Sequence, residues 1–176
     1  MPNWCYNQVT LTNDDASKVK ALVDEFERIA KENEGKDYNE RENFRLFEQF
    51  YPTPKQLTEG DGWYDWNVSN WGTKWDVSPD ECYQDGDNAV SFYFDSAWSP
   101  PIEFYNKLVA DGWGVSAMYS EPGMEFCGEY IDGNDNYYEY PGTRERAKQE
   151  IPEDLYEFAD LDTVYDWKEE DEDEED

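Results

Sequence analysis

Hydrophobic periodicity along the chain predicts two successive strand–helix–strand units. Residues 4–12 are rich in aromatic and β-branched types, which favours a first strand. Apolar residues then recur at three- and four-residue spacing over 15–33, as they do on one face of a helix. The same reasoning predicts a strand over 89–94, a helix over 101–111 and a strand over 115–120.

Less regular segments separate and follow these elements. Residues 44–51 are typical of a short strand or an irregular segment. Residues 55–88 combine tryptophans with turn-forming residues, and we expect them to form an insertion lying against the sheet. Residues 124–130 and 136–140 have the character of two hairpin arms that turn at residues 132–134, where an Asp-Gly pair favours a tight turn.

The C-terminal part of the chain becomes progressively more acidic. A last helix is predicted over 143–149, with a continuation beyond Pro152 as the alternative. Residues 1–149 are expected to form one domain, and residues 150–167 an acidic helical extension. Residues 168–176 are almost entirely acidic, and we expect them to be a disordered tail.

The order of these elements predicts the fold class. A strand, helix and strand, repeated once, form the split βαβ pattern of ferredoxin-like folds. We therefore expect an α+β protein with a ferredoxin-like antiparallel sheet, two helices on one face, an added β-hairpin and the acidic C-terminal extension.

Charge is the most unusual property of the composition. The 176 residues include 44 acidic and 14 basic side chains and no histidine, which gives a formal net charge of −30. Residues 150–176 carry −14 of this charge and residues 1–149 carry −16, so the acidity belongs to the predicted domain as well as to the extension. Repulsion on this scale destabilises a compact state. Selection for solubility, adaptation to high salt and a cationic partner are the explanations left open.

The same acidity argues against two classes of partner. Contacts to nucleic-acid phosphates and to anionic membranes need Lys and Arg, so direct binding to either is not expected. No window approaches the roughly 18 apolar residues of a membrane span. The N-terminal residues lack the charged and apolar regions of a signal peptide. We therefore expect a cytoplasmic protein.

Catalytic and metal-binding chemistry find little support in the residue types. Cys5, Cys82 and Cys127 are widely spaced, and histidine, a common base and metal ligand, is absent. A disulfide framework, a metal site and nucleophilic catalysis are therefore not expected. Glu121 and Glu125 are candidates for an acid–base pair, but in so acidic a chain two neighbouring carboxylates carry little information. The sequence predicts a protein that is not an enzyme and needs no cofactor.

Four short segments resemble a known family. They are Pro2-Asn3-Trp4-Cys5-x-Asn7, Asn70-Trp71-Gly72-Thr73-Lys74-Trp75-Asp76, Trp98-Ser99-Pro100-Pro101 and Glu121-x-Gly123-x-x-Phe126-x-Gly128. Together they are similar to the YubB ferredoxin-like family carried by phages and conjugative plasmids, over residues 1–130. The resemblance implies a ferredoxin-like core and a mobile-element origin, and it implies no activity.

The tryptophan-rich segment supplies one candidate binding site. Trp71 and Trp75 are candidates for an aromatic shelf, with Lys74 and Asp76 as polar contacts to a ligand. The complete predicted pocket consists of Trp71, Lys74, Trp75, Asp76, Trp98 and Glu121. A purely structural role is the favoured alternative, in which the tryptophans pack beneath the insertion and Trp98 fills a rigid corner before two prolines.

The acidic surface supplies the other candidate site. Duplex DNA carries about one negative charge per 1.7 Å of its axis, and a protein covered with carboxylates presents a similar field to a basic cleft. We expect the contacts to come from Glu150, Glu153, Asp154, Glu157, Asp160 and Asp162. The predicted function is inhibition of a basic host protein, a nucleic-acid-binding defence factor, by charge mimicry. The alternative is a small-molecule or nucleotide-binding protein, acting as a sponge through the aromatic pocket.

Overall fold

The computed structural model describes residues 3–174, with the side chains of all of these except Tyr38 and residues 170–174. Its strands are β1 (Trp4–Thr12), β2 (Glu81–Asp85), β3 (Ala89–Ala97), β4 (Gly114–Glu121), β5 (Phe126–Ile131) and β6 (Asn134–Glu139). Its α-helices are α1 (Ala16–Glu32), α2 (Lys55–Thr58), α3 (Gly62–Trp71), α4 (Ile102–Ala110), α5 (Arg144–Glu150), α6 (Glu153–Phe158) and α7 (Leu161–Glu174). Within the described range, no helix is both long and apolar enough to cross a membrane.

The six strands form one antiparallel sheet in the order β2-β3-β1-β4-β5-β6. The central strand β1 pairs with β3 from Trp4 opposite Ala97 to Thr12 opposite Ala89. On its other side β1 pairs with β4, beginning with Tyr6 opposite Ser120. The expected α+β class with an antiparallel sheet is therefore confirmed, and so is the hairpin formed by β5 and β6.

Helix α1 illustrates how closely local sequence sets the element boundaries. The Asp15 carboxylate accepts hydrogen bonds from the Ser17 hydroxyl at 2.6 Å and from the Ser17 backbone N–H at 3.0 Å. Both bonds lower the pKa of Asp15, and the second caps the helix N-terminus. Val19, Leu22 and Ile29 are buried because their spacing places them on one face of the helix. The helix predicted over 15–33 is confirmed.

The inner face of the sheet, which α1 and α4 cover, carries an aromatic core. Phe47 lies at its centre, with its ring centroid 4.5 Å from that of Phe104 and 5.4 Å from that of Trp71. Phe47 belongs to the segment 44–51, which forms a single 3₁₀ turn rather than a strand. This irregular segment is therefore a structural part of the core.

The outer face of the sheet is covered over only half of its width. Helices α5, α6 and α7 bury Cys127 and Tyr140 against Leu155 and Leu161 on the side of β4 and β5. Over β2, β3 and β1 no helix lies on this face among residues 3–174, and its side chains are exposed or partly exposed. We call this surface the open half-face. It consists of the outward-pointing residues Trp4, Tyr6, Gln8, Thr10 and Thr12 of β1, Glu81, Tyr83 and Asp85 of β2, and Ala89, Ser91, Tyr93 and Asp95 of β3.

Two sequence-based expectations need correction. The insertion over 55–88 contains the edge strand β2, which the pattern did not reveal because only Cys82 among its five residues is even partly buried. Residues 168–174 belong to α7 rather than to a disordered tail, and the Lys168 Nζ lies 2.8 Å from the Glu125 Oε1, which links the helix to the β4–β5 turn. The last two residues of the predicted tail lie outside the described range.

Candidate functional site

The predicted aromatic pocket is divided between separate places. Trp71, Trp75 and Asp76 border a cleft beside α3, whereas Lys74 and Trp98 border a neighbouring one. Trp71 is 1% exposed, and its indole Nε1–H donates to the Tyr51 carbonyl at 3.0 Å. Its ring is therefore a core group, as the structural alternative holds for it.

Two carboxylates of the predicted pocket are already used by donors of the chain itself. The Asp76 carboxylate accepts the backbone N–H groups of Phe47, Glu48 and Val77 at 2.7–2.9 Å. Burial nevertheless raises the pKa of Asp76 to about 6. Glu121 is buried and accepts the backbone N–H groups of Gly123 and Met124 at 2.9 and 2.7 Å. Each carboxylate fixes a turn and has little capacity left for a ligand.

The two carboxylates of the candidate acid–base pair, Glu121 and Glu125, are likewise used by contacts within the chain. While Glu121 closes the β4–β5 turn, Glu125 forms its ion pair with Lys168. The described residues hold no group of three or more metal-ligating side chains with the arrangement of a metal site. Cys5 and Cys127 are fully buried, which raises the pKa of both thiols, that of Cys127 to about 12.

The other tryptophans of the predicted pocket lie at the surface. Trp75 is 41% exposed, and the Lys74 ammonium lies 3.9 Å from its ring centroid in a cation–π contact. Trp98 is also exposed and does not fill the corner that its sequence context suggested. Tryptophan is enriched among the interface residues that contribute most of the binding energy.

Trp98 has an unusual backbone conformation. Its φ is +73°, a left-handed region that costs a non-glycine residue on the order of 1–2 kcal/mol. Its backbone N–H donates to the Asn3 carbonyl at 3.0 Å, and this bond extends the pairing of β1 with β3 past Ala97. A large residue is thus held in a strained conformation while 45% of its surface stays exposed, and backbone strain of this kind clusters at functional sites.

Exposed aromatic side chains that sequence reasoning assigned only to secondary structure complete this end of the sheet. Trp4 and Tyr6 at the start of β1 are exposed, as is Tyr64 on α3. The ring centroids of Trp4 and Trp75 lie 6.3 Å apart. The signal that would have found them is the alternation along β1, where Trp4 and Tyr6 share the side opposite the buried Cys5 and Asn7.

A cleft of about 390 Å³ lies between Trp4 and Trp75. Its wall also includes Asp80 and Asp95, both of which are exposed. Partial desolvation and the neighbouring Asp80 raise the pKa of Asp95. Two aromatic rings and three carboxylates, of which Asp80 and Asp95 are exposed and Asp76 is partly buried, thus border one concave surface at the edge of the open half-face.

The open half-face itself combines aromatic and acidic residues. Tyr83 and Tyr93 stack edge to face with centroids 5.8 Å apart, and Tyr83 donates a hydrogen bond to Glu81 at 2.8 Å. Asp85 and Asp95 point outward from the same face. None of the outward-pointing residues that define this face is a lysine or an arginine.

The predicted partner-binding residues of the extension divide into two groups. Glu150 pairs with Arg146 at 2.8 Å, and Asp160 accepts the Thr163 hydroxyl at 3.0 Å. Asp162 accepts the Tyr156 hydroxyl at 2.7 Å and pairs with Lys148 and Arg144, so its pKa is lowered. The other three predicted residues are exposed, with no ion pair among the described side chains: Glu153, Asp154 and Glu157.

Comparisons with known proteins leave the family open. No family model matches the chain, and no curated protein matches it. Among solved structures, the chain is similar to the crystal structure of protein api92 from Yersinia pseudotuberculosis, described with the family model DUF1281. The two chains are 11% identical, with 81% of this chain and 99% of that one covered and a TM-score of 0.43. The resemblance to the YubB ferredoxin-like family stays a prediction.

Proposed function

We propose that this protein binds a basic protein through the open half-face and so competes with nucleic acid for that protein. The observation that carries the proposal is the composition of this face, which joins exposed aromatic rings to carboxylates and lacks any basic residue. Aromatic residues supply binding energy at protein interfaces, while complementary charge supplies speed of association and specificity. A cationic partner would contact both the aromatic rings and the carboxylates of this face.

We propose in addition that the fold has a ferredoxin-like core. The strand order β2-β3-β1-β4, with α1 after β1 and α4 before β4, supports a ferredoxin-like core to which β5 and β6 are added. The helices cover the inner face of such a core and leave the outer face accessible. A mobile-element origin and a host defence factor as target rest on the YubB resemblance alone.

The open half-face is a better candidate for the binding surface than the acidic extension, where basic residues offset part of the charge. Glu150 and Asp162 of the extension have their charge offset by Arg146, Arg144 and Lys148. Glu153, Asp154 and Glu157 keep free carboxylates but lie on α6, whose own aromatic residues, Tyr156 and Phe158, are buried or partly buried. They serve as the matched control surface.

Two charge-reversal variants test the proposal at equal net charge. One carries Glu81→Lys, Asp85→Lys and Asp95→Lys on the open half-face, and the other carries the three control residues changed to Lys. Immobilised wild-type chain should capture basic proteins at about 50 mM salt and release them at about 500 mM salt or with duplex DNA. The open-face variant should lose this capture, whereas the control variant should retain most of it.

Two results would contradict the proposal. One is capture that persists at high salt and in the presence of duplex DNA. The other is a loss of capture that is equal in the two variants, since it would report net charge rather than a defined surface. A loss confined to the control variant would move the site to the extension.

A second function is favoured by a separate cleft. About 410 Å³ of space beside α3 is lined by Trp63, Trp75 and Arg45, within the size range of small-molecule sites. Arg45 is paired with Glu48 at 3.0 Å, so an anionic ligand such as a nucleotide would have to displace that carboxylate. A thermal-shift screen with nucleotides tests this function, and stabilisation that disappears in Trp75→Ala would support it.

A further inference from the structure

We propose that the cleft between Trp4 and Trp75 is a binding site for a guanidinium group, and that its ligand is an arginine side chain of the basic partner. This inference rests on the proposed function and assigns the partner's anchoring residue. The arginine site is confined to this cleft. The rest of the open half-face contributes charge and contact area to binding of the same partner.

The two aromatic rings form adjoining walls of the cleft. Their planes meet at 40° with centroids 6.3 Å apart, so a flat group that enters beside one ring approaches the edge or face of the other. Ala97 and Val77 add to the apolar part of the lining. A guanidinium group is planar, weakly hydrated and stacks on aromatic faces, so it fits such walls better than a compact, strongly hydrated ammonium group.

The two carboxylates supply the complementary charge. Asp80 and Asp95 border the cleft, and no lysine or arginine lies within ion-pair distance of either among the described side chains. Their mutual repulsion contributes to the raised pKa of Asp95. An arriving cation relieves this repulsion, and a guanidinium fork presents donors to more than one carboxylate oxygen.

The ring of Trp75 already takes part in a cation–π contact. The Lys74 ammonium lies 3.9 Å from its centroid, yet Lys74 borders the neighbouring cleft with Trp98 rather than this one. Among the described residues, no lysine or arginine lines the Trp4 cleft. The contact with Lys74 shows that the ring of Trp75 is positioned to receive a positive charge.

The test compares two peptides of equal length and charge, hexa-arginine and hexa-lysine, by isothermal titration calorimetry with the full chain at low salt. We expect hexa-arginine to bind about tenfold more tightly, because each stacked and paired guanidinium gains energy that an ammonium does not. Trp4→Leu and Asp95→Asn should each lower the affinity for hexa-arginine about fivefold and abolish the preference. Asp85→Asn is the matched control, because it removes one carboxylate from the far end of the same face and should weaken both peptides equally.

Thermal unfolding of each variant, together with Trp4→Phe, separates loss of the site from loss of the fold. Trp4→Phe keeps an aromatic wall and should retain most of the preference. Equal affinity of the wild-type chain for the two peptides would overturn the inference, and so would an unchanged preference in Trp4→Leu. If either result came with intact, DNA-displaceable capture of basic proteins, the proposed function would stand without the arginine site. Loss of that capture as well would remove both.

Discussion

The indole of Trp71 donates its hydrogen bond to the Tyr51 carbonyl, whereas the ring of Trp75, four positions later, lies at the surface beneath the Lys74 ammonium. The two tryptophans of one short motif therefore have opposite roles. One holds the irregular segment before α2 against the core, and the other belongs to the exposed aromatic end of the sheet.

Alanine substitutions should separate these roles. Trp71→Ala is expected to lower the free energy of unfolding by about 3–5 kcal/mol, because it empties a fully buried aromatic site. Trp75→Ala should cost about 1–2 kcal/mol less than that loss, because 41% of the Trp75 surface is already exposed to solvent. Urea denaturation measures both values. Similar losses in the two variants would contradict the assignment.

Backbone strain at Trp98 predicts an unusual order of stabilities. Trp98→Gly and Trp98→Ala both remove the indole, but only glycine adopts the left-handed conformation without strain. The glycine variant should therefore be more stable than the alanine variant by about 1 kcal/mol, in the opposite sense to the usual entropic penalty of glycine. Both should bind the basic partner equally weakly if the indole contributes to binding. An alanine variant as stable as the glycine variant would show that the position carries no strain.

Gly128 lies against the ring of Tyr119 on the neighbouring strand, where an added Cβ would overlap the phenol. Gly128→Ala is expected to lower stability by about 1–3 kcal/mol, because it displaces a buried ring whose hydroxyl donates to Asp135 at 2.7 Å. Combining it with Tyr119→Val should give a smaller loss than the sum of the two single changes. A double-mutant cycle measures this coupling, and simple additivity would mean that the overlap is absorbed elsewhere.

Stability should be higher in mild acid than at neutral pH. Burial raises the pKa of Asp76 from 3.8 to about 6, so between these values the folded chain holds a proton that the unfolded chain has lost. The free energy of unfolding therefore falls as the pH rises through this window, and repulsion among the other carboxylates acts in the same direction. Urea midpoints should be higher at about pH 4.5 than at about pH 7, and added salt should narrow the difference. A higher midpoint at the neutral pH would contradict this account.

Much of the secondary structure was predictable because the local spacing of apolar residues determines it. The regular alternation of β1 and the amphipathic face of α1 both place their boundaries within a few residues of those observed. Strand β2 was not predictable, because an edge strand with solvent on most sides needs no apolar alternation. The contact between Lys168 and Glu125, which joins α7 to the β4–β5 turn, was not predictable either, because no local pattern contains it.

The candidate site was predictable only in part. Composition drew attention to Trp75 and Trp98, but nothing in the spacing of a tryptophan tells whether its ring points into the core or away from it. Trp4 was hidden inside a segment that reads as a strand, and Asp80 and Asp95 reach the same cleft through the pairing of β1 with β3 and the approach of the segment before β2. Tertiary structure alone assembles that group.

The position of β1 has a consequence for how the protein is made. This strand leaves the ribosome well before both of its partners, Ala89–Ala97 and Gly114–Glu121, are synthesised. Its apolar side therefore stays unpaired while residues 13–88 are translated, and the sheet closes late through pairings between distant segments, which fold slowly. The strong negative charge carried by the rest of the nascent chain keeps neighbouring copies apart during that interval.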